Sequence, residues 1–116
     1  MEVVNAGFVL FPSQKTIVLS VEVELSGPPA GARFLRFSFP SGDSKEFSEF
    51  KVIPLGSAES YEGRSGALKG MSYHESYPVK VELLADKAGK KVLDTLTQYV
   101  RFEVPPKALE RMGVEL

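Results

Sequence analysis

His74 is the single histidine of the chain, and the chemistry it could support is the first question. General acid–base work or zinc binding needs partners, and the candidates here are carboxylates such as Glu75 and Glu62. A lone histidine beside a glutamate reads first as a surface residue, with a hydrolase centred on His74 as the weaker alternative. Gly63, Gly66 and Gly70 suggest a phosphate loop. That loop requires Gly-Lys-Ser/Thr opening a helix, and Lys69-Gly70 has the reverse order. Gly63-Arg64-Ser65-Gly66 falls one residue short of a nucleophile elbow. Cysteine is absent, which removes thiolate catalysis, thiolate metal ligation and disulfides together. Asp43, Glu46, Glu49 and Glu59 lack the Asp-x-Asp-Gly spacing of a dedicated calcium loop, and read as solvated charge. The expectation is a protein that is not an enzyme, with no metal site and no cofactor.

The segment from Gly56 to Tyr77 has a different chemistry. Glycine, serine and tyrosine supply twelve of its twenty-two residues. Tyrosine offers wide amphipathic contact area at low entropic cost, and serine and glycine adapt around it, as in binding loops. Tyr61, Arg64, Tyr73, His74 and Tyr77 are therefore the candidate binding residues. The plainer alternative is two ordinary connections flanking a short edge strand, with the tyrosines anchored through their hydroxyls.

These residues need elements to hold them, and composition bounds what those can be. At 116 residues, 43% apolar and 25% charged, the chain is an ordinary globular domain with room for one core. Fourteen basic residues interleave with fifteen acidic ones, which disfavours nucleic acid as a partner. No apolar run reaches the length of a membrane span, and Met1-Glu2-Val3-Val4-Asn5 does not open a signal peptide. If the chain is full length, it is expected in the cytoplasm or associated with a virion or similar assembly. For a fragment of a longer chain no compartment is expected.

Period-2 alternation dominates the chain. Ile17, Leu19, Val21, Val23 and Leu25 alternate with Thr16, Val18, Ser20, Glu22 and Glu24, the pattern of a half-buried strand. Ser26–Gly31, rich in proline and glycine, breaks the run. Leu35, Phe37 and Phe39 then form a second apolar face. Phe47, Phe50, Val52 and Ile53 suggest a further strand with a bulged or irregular start. Tyr77, Val79, Val81 and Leu83, a turn at Ala88-Gly89, and the face Leu96, Val100, Phe102 and Val104 predict a long hairpin. Val3–Phe11 supplies a first strand, with Gly7 as a candidate bulge, and a short strand near Gly66–Met71 completes seven. Pro105–Gly113 predicts one or two helical turns, proline at the start and glycine past the end. The reading is an all-β, antiparallel two-sheet sandwich over residues 1–105. A short helical tail over 106–116 packs on it or extends from it, with Leu109 and Met112 on one side.

The stretch Tyr77-Pro78-Val79-Lys80-Val81-Glu82-Leu83, followed by the Gly89 turn and a long final strand, resembles the end of immunoglobulin-like and fibronectin type III-like domains. In those families a tyrosine opens the penultimate strand and its hydroxyl ties that strand to an adjacent loop. The resemblance implies that Tyr77 holds this place. The chain has neither a tryptophan on the third strand nor a cysteine pair. Such sandwiches carry many functions, so the resemblance implies fold alone. The functional expectation is a non-enzymatic protein-binding or structural module. It would act through a protein partner or self-association at strand edges, with service as an accessory piece of a larger assembly among the forms that fit. The alternative is a small-ligand or carbohydrate binder using Tyr61, Tyr73 and Arg64.

Overall fold

Alternation in the sequence becomes alternation of burial in the fold. Ile17, Leu19, Val21 and Val23 are fully buried, while Ser20 and Glu22 between them face outward. The computed structural model describes residues 1–113. Seven strands, β1 (Glu2–Phe11), β2 (Thr16–Glu24), β3 (Phe34–Pro40), β4 (Phe47–Pro54), β5 (Ser60–Arg64), β6 (Ser76–Leu84) and β7 (Val92–Arg101), precede one helix, α1 (Pro106–Met112). They form two antiparallel sheets, ordered β1-β2-β5 and β4-β3-β6-β7, which is the expected two-sheet sandwich. Leu35, Phe37 and Phe39 of β3 and Val79, Val81 and Leu83 of β6 meet the β2 face in one continuous core. Such burial is the main favourable term in folding a chain with no disulfide.

The β6–β7 hairpin turns at Gly89, whose φ of 73° suits glycine and whose N–H reaches the Asp86 carbonyl at 3.2 Å. Pro78 lies in a central strand, but β3 pairs with β6 only as far as Ser38↔Lys80, so Pro78 sits beyond that ladder. Helix α1 has proline in its first turn and ends on Gly113 at φ 72°. Leu109 enters the core at 1% exposure, so the helix packs on the sandwich. The Met112 side chain lies outside the described part.

Two strand expectations are corrected. Gly7 is not a bulge. It pairs regularly with Ser20, and the irregularity falls between Val3 and Asn5, leaving Val4 unpaired and 45% exposed. The seventh strand is β5 at Ser60–Arg64, not Gly66–Met71. Hydropathy hides β5 because its buried position is a glycine: a Cβ on Gly63 would lie 2.4 Å from the Phe37 ring. Residues beyond Arg64 leave the ladder but stay tied to β2. The Ser65 N–H reaches the Leu19 carbonyl and the Leu68 N–H reaches the Ile17 carbonyl, each at 2.9 Å.

Candidate functional site

The tyrosine-rich segment divides between two ends of the sandwich. Tyr61 stands opposite Val23, whereas Leu68 bonds to Ile17, six residues back along β2. At about 3.3 Å per residue that is roughly 20 Å of strand. Tyr61 is half-buried. Its hydroxyl accepts from the Gly56 N–H at 2.9 Å and donates to the Gly56 carbonyl at 3.1 Å, closing the turn before β5. Tyr77 is 4% exposed, edge-on to Phe8, and its hydroxyl accepts the Ser72 N–H at 2.6 Å. That bond ties the start of β6 to the loop before it.

Tyr73 and His74 come together at the other end. Their rings stack with centroids 3.7 Å apart, and Tyr73 remains 42% exposed. His74 holds φ at 69°, the left-handed region, and its N–H donates to the Phe102 carbonyl at 2.8 Å. Lys45 bridges to Glu75 at 2.8 Å, joining the β3–β4 loop to this one and holding the Glu75 carboxyl below its ordinary value. Among the described residues no three His, Cys, Asp or Glu side chains gather as a metal-ligand set.

Arg64 belongs to a third place, the outer face of β1-β2-β5. The register aligns Gly7, Ser20 and Arg64 in one row and Asn5, Glu22 and Glu62 in the next. Over Gly7 lies a depression of about 270 Å³ lined by Asn5, Gly7, Phe8, Val9, Ser20, Glu62 and Arg64. Glu62 Oε1 accepts from Arg64 Nε at 2.5 Å and from the Ser20 hydroxyl at 3.3 Å. The guanidinium lies 6.0 Å from the Phe11 ring. Sequence reasoning found Arg64 but not Asn5, Gly7 or Ser20. The available signal was a glycine inside a strand that needs no bulge there.

The outer face of β4-β3-β6-β7 carries most of the large apolar side chains left exposed among the described residues. Of five large exposed apolar side chains among the described residues, Phe50 (58%), Tyr99 (64%) and Val92 (41%) lie here. At its centre Arg36 forms two bonds to Glu82, Nε to Oε1 at 2.9 Å and Nη2 to Oε2 at 3.0 Å. The hydrogen bond from Arg36 holds the Glu82 carboxyl below its ordinary value, against the opposing effect of burial. Lys80 stands 5.3 Å over the Phe47 ring. Between Phe50 and Lys80 in the register, Ser38 is fully buried and its hydroxyl has no hydrogen-bond partner among the described residues. Tyr99 was legible as the outward side of a predicted strand, whereas the irregular Phe47–Phe50 spacing left the side that Phe50 faces open until the β3–β4 register fixed it.

A smaller groove, about 180 Å³, separates β4 from the chain after β5 and is lined by Ser41, Ser48, Glu49 and Gly66 among others. Glu49 closes it by accepting the Gly66 N–H on both carboxylate oxygens, at 2.7 and 3.1 Å. No helix of the described residues is long and apolar enough to cross a membrane. Compared with known proteins, the chain matches no family model, and neither a curated protein nor a solved structure is significantly similar to it.

Proposed function

We infer that this protein is a non-enzymatic module that works through protein–protein contacts, built on a fibronectin type III-like variant of the immunoglobulin-like sandwich. The strand partition supports the fold reading. Strands one, two and five share a sheet opposite three, six and seven, as in that fold, and the fourth strand joins the third instead of the fifth. The Tyr77 hydroxyl bonded back to the Ser72 N–H is the corner that such domains place at the start of their penultimate strand.

One observation carries the functional reading: Phe50, Tyr99 and Val92 are exposed on one sheet face whose central charges, Arg36 and Glu82, are already paired. Exposed aromatic groups around satisfied charge suit a protein surface, because contact then removes apolar area from water without stranding an ion. A photo-crosslinking residue at position 97, on this face, tests it in native cells against one at position 22 on the opposite sheet. The expected result is a discrete protein adduct from position 97 only, lost in a Phe50→Ser/Tyr99→Ser variant with an unchanged melting temperature. Equal, diffuse adducts from both positions would refute the reading.

A further inference from the structure

Gly7 occupies a strand position that nothing in the fold reserves for glycine. It lies within a regular stretch of the β1–β2 ladder, its φ is not in the left-handed region, and an added Cβ would meet nothing within 4 Å. A glycine in a strand loses conformational entropy on folding and packs no side chain, so it commonly marks a bulge or the close approach of another group. The bulge of β1 is elsewhere, between Val3 and Asn5. The remaining consequence of the missing side chain is the depression of about 270 Å³ above it.

Its rim sets what could enter. Asn5 brings an amide that both donates and accepts, and Ser20 a hydroxyl. Glu62 and Arg64 neutralise one another through Oε1 and Nε, which leaves Oε2 and the two Nη groups outside that bond. Val9 contributes apolar wall, whereas the Phe8 ring points the other way, into the core against Tyr77 and Phe102, and offers the depression only its backbone. Alternating donors and acceptors with no net charge match hydroxyl groups. Glu22 and Glu24, outward on the same sheet face, disfavour an anion. The volume lies below the roughly 300–1,000 Å³ of sites that hold drug-sized ligands, which suits one ring.

We propose that the depression over Gly7 is a binding site for a neutral, hydroxyl-rich ring, one unit of a saccharide. The site is independent of the aromatic face on the other sheet, and it uses Arg64 without Tyr61 or Tyr73. The test is titration of the isotope-labelled protein with neutral sugars (glucose, galactose, mannose, N-acetylglucosamine and lactose), followed by amide chemical shifts. Concentrations should reach about 50 mM, well above the millimolar affinity within reach of one small ring. At least one sugar should give saturable shifts at Asn5–Val9, Ser20 and Glu62–Arg64. Gly7→Val fills the depression and should weaken that binding by about tenfold or more, with a melting temperature equal to or above that of wild type. Arg64→Gln, at an exposed position, provides a second loss should the valine disturb β1. The proposal is overturned if no sugar produces saturable shifts in this region. It is equally overturned if the shifts persist unchanged in both variants.

Discussion

Two glycines flank β2 in the same sheet, and the structure assigns opposite signs to the same substitution at each. In Gly63→Ala the new methyl would lie 2.4, 2.6 and 2.8 Å from three atoms of the Phe37 ring, which is fully buried at the centre of the core. Restoring ordinary contact needs a displacement of about 1 Å, shared between a packed ring and a strand fixed by its ladder to β2. Overpacking of this kind costs about 1–3 kcal/mol, offset by about 0.4–1 kcal/mol from the stiffer unfolded chain. The net expectation is a loss of about 1–2 kcal/mol, or roughly 4–8 °C in melting temperature at this chain length. Gly7→Ala meets open space and should gain about 0.4–1 kcal/mol by the same unfolded-state term. Thermal and urea melts of both variants measure the contrast. Phe37→Leu then closes a double-mutant cycle: combined with Gly63→Ala it should cost at least about 0.5 kcal/mol less than the two separate losses. A Gly63→Ala protein that melts at or above wild type would refute the packing argument, as would strict additivity with Phe37→Leu.

Ser65→Ala removes the hydroxyl that accepts the Leu19 N–H at 2.8 Å in a buried setting; it should cost about 1–3 kcal/mol, read from the urea midpoint. Glu82→Gln should lose about 1–2 kcal/mol at pH 7, because Arg36 keeps a partner but loses the charge it pairs with. The folded Glu82 carboxyl titrates below its unfolded value, so this advantage is complete above the unfolded value and vanishes as pH falls through the folded one. Melts from pH 7 to pH 3 should therefore show the wild-type and Glu82→Gln curves converging on the acid side; a constant gap would contradict the assignment. Ser38→Ala should leave stability unchanged or raised, since the hydroxyl it removes is buried without a partner. A clear drop in its melting temperature would show that the hydroxyl is bonded after all.

How far the amino-acid order reached depends on the range of the interaction involved. Alternation at Ile17–Leu25, Leu35–Phe39 and Tyr77–Leu83 specifies strands and their buried sides, because a residue's side of a strand follows from its position in a period of two. Proline in the first turn of Pro106–Met112 and glycine just past its end specify the helical turn, since capping is local. Pairing between distant segments is not local, and there the order of residues was silent. That β5 is Ser60–Arg64 depends on the Phe37 ring filling the place of a Gly63 side chain, two residues far apart in the chain. The candidate residues divided for the same reason. Tyr61 and Tyr73 lie twelve positions apart in one composition-rich segment, yet Tyr61 pairs with Val23 at one end of β2, while the chain running on past Leu68, bonded to Ile17, carries Tyr73 to the other. Asn5, Ser20 and Arg64 are scattered in sequence and become neighbours only when three strands align. Local chemistry therefore specified which sides of the strands are apolar, and the register between strands specified which polar groups share a surface.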